Sequence, residues 1–259
     1  MGGPCSPNRV EDPVSVRWMS RPRYPKSSGP LPPPLPPATR TVGQLVAETL
    51  RLYGQRLLPC LLLGLPVAIV DQFLLDLTRA ERIVPLLVAA PLLSLAYASA
   101  CAIRQDELPG PARWVTAVLV GTVTFVPAAL LLPWFTIAAV LYLGLAAHAV
   151  PVVMAEGVGP IGSLRRTLAL GRADYVHAAG GLATLALLFG LTRLALGLLL
   201  RSQADNTLRV SIFLADLVIA PILFLGAALL YVDLAARVGT TRDERARRRG
   251  EAVARRPAR

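Results

Sequence analysis

Apolar residues in this chain run in long blocks, and the charged residues stand between the blocks. An α-helix rises about 1.5 Å per residue, so roughly 20 apolar residues cross the hydrocarbon core of a bilayer. Residues 83–103 are 21 positions without a charge, which predicts one such helix. Residues 114–155 are 42 positions without Asp, Glu, Lys or Arg. One helix of that length would be about twice the bilayer thickness, so the stretch must fold back as two, with Pro133 and Trp134 at the turn. Trp114 and Trp134 are 20 residues apart, about 30 Å along a helix, which puts one indole at each interface. Pro127 then falls inside the third span, where a kink is expected. Runs at 57–77, 178–200 and 210–234 complete the set. The predicted fold class is all-α: a polytopic membrane helical bundle of about six transmembrane helices, with interfacial amphipathic helices added.

The flanks read differently. Residues 1–40 hold eleven prolines, including the run from Leu31 to Pro37. Such a stretch builds neither helix nor sheet ladders and is expected to be a disordered tail. It serves as a docking peptide for a proline-recognising partner, as a solvated tail, or lies upstream of the true start. Order is expected from Thr41, which forms a capping box with Gln44. Val42, Leu45, Val46, Leu50 and Tyr53 follow at helical spacing, with Gln44, Glu48, Arg51 and Gln55 on the other face and Glu48 within reach of Arg51. Two placements fit this amphipathic helix: lying on the membrane surface, or packed on the bundle. The membrane domain is expected over 41–238, with a basic disordered tail over 239–259.

Composition sharpens the class. The chain is 54% hydrophobic with a mean hydropathy of +0.54, against about 45–50% apolar for an ordinary soluble domain. The formal net charge is +11, and Lys26 is the one lysine among 27 basic residues. These arginines flank apolar segments instead of decorating a soluble face, which argues against a nucleic-acid partner. Arranged on six spans, 22 basic residues fall on the side of the termini and four on the other. Positive charge resists translocation, so both termini are expected in the cytoplasm of a multi-pass protein of the cell membrane. Cys5, Cys60 and Cys101 are too scattered for a disulfide framework or a zinc site. The amino terminus lacks the short apolar core of a secretory leader.

Ionisable groups inside spans are costly and usually face the bundle interior, a cavity or one another. Arg193, Asp216 and Asp71 all fall at similar depth, about 10 Å below the surface opposite the termini, so Arg193 is expected to pair with Asp216 or Asp71. The functional version is a polar cavity or an ion or proton pathway; the alternative is a structural ion pair. His148 has no Glu or His at helical spacing and suits a buried histidine bonded to a backbone carbonyl better than a metal ligand. The chain contains no G-x-S-x-G or H-E-x-x-H, and no clustered acid–base residues, so enzymatic activity is not expected and no cofactor is indicated.

A second candidate lies near the terminal side. Glu156, Gly157, Gly159 and Pro160 stop the fourth span and start a short helix. Ile161, Leu164 and Leu168 share one side of it and Arg166 faces away; Gly171 suits a C-cap. Arg165, Arg166 and Arg172 can meet lipid phosphates, a protein partner or Glu156.

Two stretches carry a resemblance. The run from Thr41 to Tyr53, leading into a Pro-bearing apolar block, resembles the start of an uncharacterised bacterial membrane domain also found in membrane-bound glycerophosphoryl diester phosphodiesterases. The run from Pro151 to Pro160, followed by that from Ser163 to Gly171, resembles its Glu-Gly-x-Gly turn and short basic helix. Leu168 and Ala173 stand where that family often carries aromatics. The resemblance covers about residues 41–236 and implies a six-span helical membrane domain. The catalytic module of those enzymes is separate, and nothing here matches its metal-binding residues. Two functions follow from these features. One is a non-enzymatic membrane domain that binds anionic lipid head groups or a membrane protein partner through its basic cytoplasmic elements. The other is a small transporter or channel using Arg193, Asp216 and Asp71.

Overall fold

A computed structural model of the chain describes residues 36–104 and 109–254, with side chains through residue 239. The described residues are helical throughout, with no strand. Six helices, or pairs of helices in line, are long and apolar enough to cross a membrane. Their outward faces carry large apolar side chains such as Leu58, Ile137 and Val176, each more than three-quarters exposed. Water would not tolerate such a belt on a stable monomer; lipid does. The chain is a membrane protein.

The first span, α2 (Leu57–Leu74), is followed by α3 (Ile83–Ile103), which has the bounds expected from its uncharged run. Ahead of both lies α1 (Val42–Gln55). Next comes α4 (Pro111–Leu131), which turns through residues 132–135 into α5 (Thr136–Ala146). The fold-back is therefore where the uncharged 42-residue stretch requires it, and Trp134 is half-exposed there. The chain continues as α6 (Ala149–Glu156), α7 (Pro160–Ala173), α8 (Tyr175–Leu199) and α9 (Asp205–Ala254). Neighbouring spans pack in a closed ring: α2 on α3, α3 on α4, α4 on α5, α5 on α8, α8 on α9, and α9 back on α2.

Small residues let these helices approach closely, as expected where van der Waals packing rather than the hydrophobic effect holds helices together. An added Cβ at Gly64 of α2 would run into the Leu217 backbone of α9, and one at Gly144 of α5 would sit 2.8 Å from the Ala179 Cα of α8.

Several sequence expectations shift. Span one stops at Leu74, three residues early, and Asp76 lies outside it, bonded to Arg209 at 2.5 Å. Span four is not one helix: it breaks at Ala147–His148 between α5 and α6. Pro151 has no N–H to give the carbonyl of residue 147, and its ring crowds that carbonyl, so the helix parts there. Gly171 is inside α7 and does not cap it. The expected disorder of residues 1–35 lies outside the described residues. Residues 36–40, however, are ordered: Pro37–Thr39 form a 3-10 turn on α9, and Arg40 is buried. At the other end α9 does not stop at 238 but continues as helix to Ala254, in keeping with the helix-favouring Arg, Glu and Ala of that stretch.

The capping box at Thr41 and Gln44 is formed as expected. The helix it starts packs on α9 and α8. Its buried face runs through Leu45, Thr49 and Leu52, rotated from the apolar face read in the sequence, so Leu50 points outward. Thr49 can be buried because its hydroxyl donates to the Leu45 carbonyl at 2.7 Å.

Candidate functional site

The end of the bundle away from the termini holds the three intramembrane charges. The structure brings all of them together. Arg193 of α8 reaches α2, where its Nη1 donates to Asp71 Oδ1 at 2.9 Å and its Nη2 to the other carboxylate oxygen. On its other side Arg193 Nε lies 3.5 Å from Oδ1 of Asp216 on α9. The guanidinium also rests 5.6 Å from the centre of the Phe189 ring. The pairing is thus unequal: Asp71 receives a two-pronged bond, whereas both oxygens of the fully buried Asp216 complete no hydrogen bond. Two carboxylates share one guanidinium.

Beside this group, and lined by residues of all six spans, is a half-open chamber of about 560 Å³. Asp71 and Arg193 lie on its wall, and the rest is almost entirely apolar, for example Leu93, Phe125, Val140 and Leu223. The break in span four explains why the chamber occupies one half of the bundle. Beyond His148, α6 turns inward and packs on α3, α4 and α9, filling the centre with Val150 and Val153. Before the break, α5 stays at the rim against α4 and α8 and leaves the axis open. His148 sits at the break, buried, with the Gly144 carbonyl one turn back as the backbone partner of its ring. Among the described residues, no three His, Cys, Asp or Glu side chains gather where a metal could bind.

The terminal end carries the second candidate. Gly157 caps α6 with φ +66°, the one left-handed residue in the described chain, which a side chain would strain. The Arg113 guanidinium lies over it, about 3 Å from where a Cβ would stand. Gly159 then sits at the N-cap of α7. Glu156 is held from two sides: Arg166 Nε donates to its Oε1 at 3.1 Å, and Tyr231 Oη of α9 donates to the same oxygen at 3.0 Å. Helix α7 rests on the bundle through Ser163, Thr167, Leu170 and Gly171, a small face. Three of its apolar residues point the other way: Ile161 is 70% exposed, with Leu164 and Leu168 beside it. Arg165 and Arg172 are exposed as well.

Sequence reasoning missed a third polar cluster at this end. Arg40 Nη1 donates to Asp233 Oδ1 at 2.8 Å, and both side chains are buried. Arg237 Nη2 donates to the Arg40 carbonyl at 2.8 Å and its Nη1 to Asp174 at 2.9 Å. Asp174 in turn accepts from the His177 N–H and caps α8. Arg104, at the end of α3, is exposed but close enough to act on Arg40 and Asp233, and partial desolvation lowers the affinity of its guanidinium for its proton. The signal for this cluster was an aspartate one residue before the end of the sixth apolar run. Its partner was hidden because Arg40 follows the proline-rich stretch. No family model matches the chain, and no curated protein or solved structure matches it.

Proposed function

We propose that the chain is a non-enzymatic, multi-pass protein of the bacterial cell membrane, with both termini cytoplasmic, that binds anionic lipid head groups along α7. We further propose that it belongs with the membrane domains it resembles through residues 41–53 and 151–171. The observation that carries the lipid reading is the orientation of α7. A helix on a soluble surface would bury Ile161, Leu164 and Leu168 and expose Ser163 and Thr167; here the reverse holds. That arrangement suits a helix at the lipid interface, with apolar residues in the acyl region and Arg165 and Arg172 at head-group level. Glu156, Gly157, Gly159 and Arg166 set the angle at which α7 leaves the bundle. The excess of 22 basic residues over four supports placing this end in the cytoplasm.

Each arginine near an anionic surface contributes about 1 kcal/mol. Replacing both Arg165 and Arg172 with Gln should therefore lower the retention of phosphatidylglycerol relative to phosphatidylcholine by about tenfold or more. Mass spectrometry of lipids carried through purification measures this. Equal retention by the wild type and the double variant would overturn the reading.

A second reading, a small transporter, is favoured by the broken span four and the chamber beside a buried charge group. Discontinuous helices next to a midplane site are a transporter feature. Solute flux into proteoliposomes that stops in Asp216→Asn would place this reading first, and flux that persists would remove it.

A further inference from the structure

The chamber is built for something that α7 does not explain. We propose that it binds a single-chain amphiphile with a protonated amine head, the alkyl chain lying along the bundle axis and the amine meeting Asp71. This rests on the chamber and the charge group alone, so it stands or falls separately from the lipid reading of α7.

Shape is the first argument. Leu182 and Arg193 both line the chamber and are 11 residues apart on α8, about 16 Å along the helix axis. A volume of about 560 Å³ lies within the range of small-molecule sites. That length accommodates an extended alkyl chain. The wall is aliphatic and aromatic nearly throughout, which suits methylene groups.

Charge is the second argument. The polar side chains on the wall are Asp71 from α2, Arg193 from α8, Thr136 from α5 and Tyr97 from α3, with Asp216 of α9 immediately behind Arg193. The neighbouring Asp76 and Arg209 neutralise each other. The group therefore has one more carboxylate than guanidinium, in a low-dielectric setting where an unmatched charge is expensive. Beside an anionic or neutral head, one carboxylate must take up a proton to relieve that excess. An ammonium at Asp71 removes it, and it also lets Arg193 close the 3.5 Å gap to Asp216, whose oxygens otherwise complete no hydrogen bond. One cation thereby satisfies both carboxylates. The source of such a head is either a single-chain lysolipid with an amine head group or a free amphiphilic amine; the chemistry is shared.

Equilibrium dialysis of radiolabelled dodecylamine against the full chain in phosphatidylcholine nanodiscs, with empty nanodiscs subtracted, tests this. Saturable binding at least about tenfold tighter than that of dodecanol or dodecanoate is expected. Asp71→Asn and Asp216→Asn should each remove that preference while leaving dodecanol binding in place. Gly190 lines the chamber and a Cβ there meets nothing within 4 Å. Gly190→Leu should therefore fold with an unchanged thermal midpoint and bind neither amine nor alcohol. Competition by lysophosphatidylethanolamine assigns the site to a lipid; its absence assigns it to a free amine. Equal affinity for amine, alcohol and carboxylate in the wild type overturns the choice of head group, and undiminished binding in Gly190→Leu overturns the chamber as the site.

Discussion

Arg40→Met should lower the unfolding free energy by about 3–5 kcal/mol, the range for removing one partner of a buried ion pair. The side chains of Arg40 and Asp233 are 7% and 0% exposed, and one Asp233 oxygen has no hydrogen-bond partner even in the intact protein. Without Arg40 the carboxylate is left in a dry site. Arg104 and Arg237 are near enough to act on it, which places the effect toward the lower end of the range. The cost comes from the stranded charge more than from the lost contact. The double variant Arg40→Met, Asp233→Leu should therefore recover most of the stability, since apolar replacement of a whole buried pair is often neutral or better. Denaturation in mixed micelles measures all three proteins. A single variant within about 1 kcal/mol of the wild type would show that this pair does not anchor the amino-terminal segment to α9.

Arg193→Met should be comparably damaging, and Asp216→Asn should not. The ordering follows from charge counting. Removing Arg193 leaves two carboxylates facing each other in the bundle, unpaired and mutually repelling, at a cost of about 3–5 kcal/mol at neutral pH and above. Removing the charge of Asp216 leaves the two-pronged Arg193–Asp71 bond intact and cancels the excess, so the change should stay within about 1 kcal/mol. A simple one-to-one Arg193–Asp216 pair predicts the opposite, with both substitutions equally harmful and rescued by swapping the charges. Thermal midpoints of the two variants in one detergent decide between them. Equal losses would show that Asp71 is not the principal partner.

The six-span architecture was legible because hydrocarbon imposes a length rule that needs no tertiary information. The bounds of α3 and the turn near Pro133 both came from counting uncharged residues. The depth argument for Arg193, Asp71 and Asp216 also came from counting, since rise per residue sets depth once the spans are placed. Partner choice was not legible. Whether Arg193 faces α2 or α9 depends on helix rotation, which hydropathy leaves open in a helix that is apolar all round. The face of α1 was misjudged for a related reason. Thr49 is a polar letter but a buried side chain once its hydroxyl is bonded to its own helix, and Leu50 is an apolar letter that lipid or solvent can accept.

By itself the sequence determined that these segments are helices, how many times they cross, where most of them turn, and which positions carry unusual charge. Those properties follow from local rules: backbone groups must be bonded within each span, and span length must match the bilayer. The ring of helices, the inward swing of α6 after His148, the chamber it leaves, and the sharing of Arg193 between two aspartates were decided only by the tertiary structure. They depend on close approaches between residues far apart in the chain, such as Gly64 with Leu217 and Arg40 with Asp233. Such contacts have no local signature, because any small or charged residue in an apolar run looks the same until its neighbour is known.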